Sequence, residues 1–246
     1  MASTVEGRKL TEAHRRRQLS ISRSTLSSLR TVWPLLDVTD LDRSFPDYFD
    51  AAYNVLAPRK RESAAVAADY LDRFRVAEYG EGSPGWIDLE RLAELSTQQA
   101  ATALLVTGPI QYRISRRAGH SPSRAQRIAE QKALGAGMRL VLEGGRNTIY
   151  DRITADPAVR GYARVTDGDP CAFCAMLAGR GAVYTKETGS FQAHDGCGCT
   201  AELIYDPDSY NLPGKGSQFS ELWASSTKGY SGRDAINAFR RAYEAQ

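Results

Sequence analysis

The sequence predicts a mainly α fold, with an N-terminal helical bundle followed by a small α+β module and C-terminal helices. Three observations carry that reading. Apolar residues recur at helical spacing through the first half of the chain, the texture changes to short alternating runs between turn residues from Gly161, and two amphipathic segments close the chain. The expected divisions are 1–158, a helical domain with a basic N-terminal arm; 159–210, the α+β module; and 211–246, a helical tail.

Residues Arg8 to Leu36 read as the first helix, with Leu19, Leu26 and Leu29 near helical spacing and Trp33-Pro34 marking its end. Asp37 to Asp40 offers caps for a segment through Leu56. A break is expected at Ala57-Pro58, because the residue before proline is pushed out of the helical region. Arg59 to Tyr79 then reads as a long helix with an apolar stripe through Val66, Tyr70, Leu71 and Phe74, and Gly80 to Gly85 as a loop. Leu89 to Val106 resumes a helical pattern. Ser121 as cap and Pro122 in the first turn open another helix, expected to stop near Gly144-Gly145. Tyr162 to Thr166 alternates as a strand, Asp167 to Pro170 turns, Cys174 to Leu177 forms a helical turn, and Gly181–Thr185 and Thr200–Tyr205 read as further strands. In the tail, Ser217–Ser225 and Arg233–Ala245 present Phe219, Leu222, Trp223, Ile236, Phe239 and Tyr243, suited to docking on the bundle or on another subunit.

Charged residues make up 25% and the net charge is +3, ordinary for a chain in water. No apolar run approaches the roughly 20 residues of a membrane span, and MASTVEGRKLTEAHRRRQ lacks the apolar region of a signal peptide. Synthesis in a reducing cytoplasm, with no membrane partner, is the expectation.

The chemistry gathers between Cys171 and Cys199, which holds all four cysteines and one of three histidines. Two residues separate Cys171 from Cys174, nineteen separate Cys174 from His194, two separate His194 from Cys197, and Cys199 follows after one. Thiolates and an imidazole in two short knuckles suit one structural tetrahedral Zn²⁺, each knuckle supplying a pair of ligands. Five candidates compete for four positions. Cys171, Cys174, His194 and Cys197 are the favoured set, with Cys199 replacing Cys197 if the second knuckle binds as H-x4-C. Two disulfides are the competing arrangement, suited to a secreted chain. So few residues bury little apolar area alone, and an ion would supply what the module lacks.

Two basic stretches are candidate nucleic-acid contacts: Arg15, Arg16 and Arg17 beside His14, and Arg113, Arg116, Arg117, Arg124 and Arg127. The competing roles are solvated helix faces or a subunit interface. Catalytic constellations are sparse. Pro170 to Cys174 fits the P-C-x-x-C of a zinc deaminase, but neither His120 nor His14 begins the H-x-E that chemistry requires. No P-loop or G-x-G-x-x-G is present, and His120 with Ser121 or Ser123 is the one pairing to consider for a protease.

The order of a helical half, then GYARVTDGDPCAFCAMLAGRGAVY, then FQAHDGCGCTAELIY resembles the MuF-like minor capsid proteins, the phage head morphogenesis family, most closely those of tailed phages of actinobacteria. Their module carries C-x2-C before a Leu-Gly or Leu-Ala pair and a closing H-x2-C-x-C followed by a strand, the positions of Cys171, Cys174, His194, Cys197 and Cys199 here. Where their second knuckle usually has proline and arginine, this chain has Asp195 and Gly198, which removes a basic residue near the metal. The resemblance implies a minor head component in few copies, retained inside the capsid. Its neighbours would be the portal protein, the major capsid or scaffold protein and packaged DNA, and its work head assembly, genome packaging or ejection. The alternative is a capsid maturation protease that processes scaffold or capsid protein.

Overall fold

Three helices form the spine of the molecule, and two of them run longer than the sequence pattern allows. In a computed structural model, which describes residues 2–181, 183–185, 191 and 193–246, α1 spans Val5–Val32, α2 Leu41–Tyr79 and α6 Pro122–Ala155, and these three pack side by side. A short 3₁₀ turn at Trp33–Leu35 closes α1 where the Trp-Pro pair stands, and Asp40 caps α2 through the Arg43 N–H.

The expected break at Ala57-Pro58 does not occur, and α2 passes through both Pro46 and Pro58. A proline inside a helix frees the carbonyl four residues earlier. Asn54 and Pro58 are both exposed, as are Asp42 and Pro46, so each freed carbonyl lies on the solvent side. The opposite face buries Tyr48, Ala52, Leu56, Ala57, Ala64, Tyr70, Leu71 and Phe74 without interruption. Continuous burial outweighs the local preference.

The expected stop at Gly144-Gly145 also fails, since α6 continues to Ala155. There the glycines are points of close approach. A Cβ on Gly144 would lie 2.3 Å from the Lys60 carbonyl oxygen, and one on Gly145 would lie 2.7 Å from Gln18 Nε2.

The stretch expected as one helix from Leu89 to Val106 divides in two. Asp88 caps α3 (Leu89–Ala93), Glu94 is extended, and Ser96 caps α4 (Thr97–Leu105). A π turn at Val106–Ile110, around Pro109, carries the chain on into α5 (Gln111–Arg117). Ser121 caps α6 as expected, accepting from the Arg124 N–H, with Pro122 at its start.

Strands β1 (Gly161–Val165) and β2 (Thr200–Ile204) form an antiparallel pair, buried at every position. Paired residues share a face. Ala163–Glu202 and Val165–Thr200 look toward α1, where Thr11 Oγ1 donates to Glu202 and His14 Nε2 lies 3.0 Å from Thr200 Oγ1. Tyr162–Leu203 and Arg164–Ala201 occupy the other face. Of the expected strand Gly181–Thr185, Ala182 lies outside the described residues. The described part makes one bridge, Tyr184 to Tyr162.

Helix α7 (Ala172–Gly179) follows β1. The tail helices α8 (Gly216–Ser226) and α9 (Gly232–Glu244) dock on it through Phe219, Leu222, Trp223, Phe239 and Tyr243, rather than on the bundle. Ile236 stays exposed.

Candidate metal centre

The first knuckle is the start of α7. Cys171 occupies its N-cap with extended backbone, and its carbonyl accepts from the Ala175 N–H at 2.9 Å, so Cys174 lies one turn in and buried while Cys171 stays exposed. The second knuckle is a tight turn. The Cys197 N–H donates to the His194 carbonyl at 3.1 Å, with Gly196 at φ +78°, a conformation that favours glycine. Both donor pairs therefore sit at the ends of turns with i, i+3 spacing.

The fold brings the two knuckles together. His194 Nε2 lies 3.1 Å from Cys171 Sγ and 3.4 Å from Cys174 Sγ, and Cys174 Sγ lies 3.6 Å from Cys197 Sγ. Cys171, Cys174 and His194 form one group of converging donors, and Cys174, Cys197 and Cys199 form another, with Cys174 common to both. His194 Nδ1 is 2.8 Å from the Asp195 carbonyl oxygen. A carbonyl only accepts, so Nδ1 carries the proton and Nε2 offers its lone pair. All four cysteines are free thiols, so the disulfide arrangement is not the one formed. The cluster can hold a metal ion.

Hydrogen bonds from the Cys174 and Cys199 thiols hold the Cys197 sulfur below the ordinary thiol range, and the Arg146 charge adds to this. Burial pulls Arg146 below the usual guanidinium range, while the charge of Cys197 and Cys199 opposes that pull.

Sequence reasoning missed the groups that hold the knuckles in place, because they lie in the helical half and in β1. From α6, the Gly135 carbonyl accepts from Gly196 at 3.0 Å, Arg139 Nε donates to Asp195 at 2.7 Å, and Arg146 donates to the carbonyls of Cys197 and Cys199. From β1, Arg164 Nη1 lies 3.8 Å from both Cys174 Sγ and Cys197 Sγ. Their one signal in sequence is a glycine and two arginines on the α6 face that also carries Leu142. Gly198 has its own reason. A Cβ there would meet Asp167 Oδ2 at 2.5 Å, and its N–H donates to that oxygen at 3.1 Å.

The basic candidates separate into two sets. Arg15 and Arg16 are bonded to Glu12, Arg15 also reaches the Asp167 carbonyl, and Arg17 lies 3.7 Å from Asp69. His14 between these turns is buried and stacks on Tyr70 at 4.4 Å, so the arm is docked on the bundle. At the tip of the α5–α6 hairpin, Arg113 bonds Asp42 and Arg116 bonds the His120 carbonyl, while Arg117, Arg124 and Arg127 are exposed. Ser121 Oγ there is engaged as the α6 cap and lies 3.3 Å from Ser123 Oγ.

A mainly α chain with a small two-stranded sheet and a Cys/His cluster is the class that fold and site define. The family described as VG15 protein matches residues 6–226, from the start of α1 to the end of α8. The chain belongs to this VG15 family and is a phage protein. No curated protein and no solved structure matches it significantly. Among the described residues, no helix is long and apolar enough to cross a membrane.

Proposed function

We propose that this chain is a minor head component of a tailed phage, bound to the portal and facing the capsid interior, and that one Zn²⁺ ion staples its α+β module. Membership of the VG15 family supports the phage setting. The observation that carries the staple is the convergence of two i, i+3 donor pairs, the second bonded to α6 through Gly135 and Arg139. With Zn–S of about 2.3 Å and Zn–N of about 2.0 Å, tetrahedral edges are about 3.5 Å between sulfur and nitrogen and about 3.8 Å between sulfurs. The separations of 3.1, 3.4 and 3.6 Å approach those edges. A site closed by four protein ligands contributes folding energy, here by tying the loop between β1 and β2 to the bundle.

On this reading residues 159–210 act as the stapled module, and the work in head assembly, packaging or ejection is done by binding the portal and the capsid or scaffold protein. The exposed Arg117, Arg124 and Arg127 would be the groups facing packaged DNA. The test is metal content of the purified chain under reducing conditions, with thiols counted before and after chelation, and recovery of the chain with assembled heads. About one zinc per chain, thiols that react only after chelation, and co-purification with heads are expected. A metal-free chain with four reactive thiols would end the staple reading, and absence from heads would end the virion reading. Loss of scaffold or capsid cleavage on substituting Ser121 or His120, in a chain that still assembles, would move it to the protease alternative.

A further inference from the structure

Five donors fall into two groups that share Cys174, a centre takes four, and the buried Arg164 distinguishes Cys197 from Cys199. Cys197 closes a turn onto His194 through its N–H, and its sulfur is 3.6 Å from Cys174 Sγ. Arg146 Nη2 donates to the Cys197 carbonyl and also holds Cys199, which alone leads directly into a strand. The Cys199 carbonyl accepts from Arg146 Nε at 3.1 Å and Nη2 at 3.0 Å, and the next residue, Thr200, pairs with Val165 in the sheet. Its backbone is therefore fixed by α6 and β1.

Arg164 adds the second observation. It is buried, its guanidinium lies 3.9 Å from the Phe191 ring centroid, and its Nη1 spans the Cys174 and Cys197 sulfurs at 3.8 Å each. An N–H shared between two sulfurs is favourable when those sulfurs carry negative charge, and a metal with three thiolates and one imidazole has a net negative charge to offer a buried cation. Arg146 approaches the same centre from α6, buried, with Nη1 facing no protein acceptor among the described residues.

We propose that Cys197, with Cys171, Cys174 and His194, completes the coordination sphere, that Cys199 stays outside it as a buried thiol, and that Arg164 is the positioning residue that holds the Cys174 and Cys197 sulfurs at the metal. This rests on the metal-staple reading above. Hydrogen bonds from Arg164 to the two sulfurs set their separation and retain their charge, so its loss weakens metal binding while leaving all four ligands in place.

The test loads the full-length chain with ¹¹³Cd²⁺ and reads proton–cadmium couplings from assigned cysteine β-protons. Couplings from Cys171, Cys174 and Cys197, and none from Cys199, are expected. A coupling from Cys199 in place of Cys197, or from both, overturns the assignment while leaving the staple standing. A chain that binds no ¹¹³Cd²⁺ overturns the staple itself. This measurement uses the natural chain, so it does not depend on any variant folding. Co²⁺ titration of substituted chains then tests the roles. C199S should keep the natural affinity and thiolate-to-cobalt charge-transfer intensity, and C197S should lose about a third of that intensity, one thiolate in three. Arg164→Gln should weaken Co²⁺ binding by roughly 10–100-fold with the charge-transfer bands retained but shifted, and Arg164→Lys should recover part of the loss. An Arg164→Gln chain with natural affinity and unshifted bands would remove the positioning role.

Discussion

The Gly196 N–H donates to the Gly135 carbonyl at 3.0 Å, and a Cβ on Gly135 would come within 3.2 Å of that same nitrogen. One turn of α6 is thus the seat of the second knuckle, and a side chain there displaces it. Gly135→Val should leave the bundle helical, because the change faces the knuckle, yet speed metal loss to a competing chelator. Overpacking of about 1–3 kcal/mol sets the size of the effect. Equal chelator rates in the two chains would show that the knuckle does not need its seat.

Gly144→Ala tests the neighbouring contact. In an isolated helix this change stabilises by about 1 kcal/mol. Here the added carbon would lie 2.3 Å from the Lys60 carbonyl oxygen, a backbone atom that cannot swing aside. The clash should win, with a net loss of about 1–3 kcal/mol. Urea unfolding followed by helical circular dichroism decides the sign.

These glycines show where the sequence was legible and where it was not. Caps and turns that depend on one or two neighbouring residues were readable, as at Asp40, Ser121 and Gly80, where the chain ends α2 at φ +85°. The gathering of the Cys/His pairs was readable because each pair of candidate donors sits on a local turn. Gly144-Gly145 and Ala57-Pro58 misled because their meaning lies in what faces them: Lys60, Gln18 and Ser63 for the glycines, and solvent for Pro58. His14 misled in the same way, since Arg16 and Arg17 after it are on the surface while its own ring is stacked on Tyr70. No local pattern ties Arg146 or Arg164 to cysteines brought near only by the fold.

Arg75 and Asp156 form a buried ion pair, Nε to Oδ2 at 2.8 Å, joining the end of α2 to the end of α6. Arg75 also donates to the carbonyls of Glu81 and Gly82, and its guanidinium lies 4.6 Å from the Tyr79 ring centroid. Arg75→Met should cost about 3–5 kcal/mol, because it removes one member of a buried, hydrogen-bonded ion pair. Arg75→Met combined with Asp156→Leu should cost less than the sum of the two single changes. A double variant as unstable as that sum would mean the pair is not coupled.

The imidazole of His14 gives a pH dependence whose sign follows from burial. Desolvation is the main force that lowers its pKa from 6.5 to about 3, and the Arg17 charge on the same helix adds to it. Facing it are the Tyr70 ring and Thr200 Oγ1, with Glu202 beyond Thr11. The unfolded chain takes up a proton near pH 6.5 that the folded chain refuses until about 3, so folding loses stability as pH falls through that window. Burial raises the Glu202 carboxyl, which acts with the opposite sign: its contribution declines as pH rises above its unfolded value. His14→Phe keeps a ring against Tyr70 and removes the titrating group. Relative to this variant, the natural chain should lose stability from about pH 6 to about pH 4 with a slope approaching one proton, measured by urea unfolding at each pH. Parallel curves for the two chains would show that His14 is protonated within the folded protein.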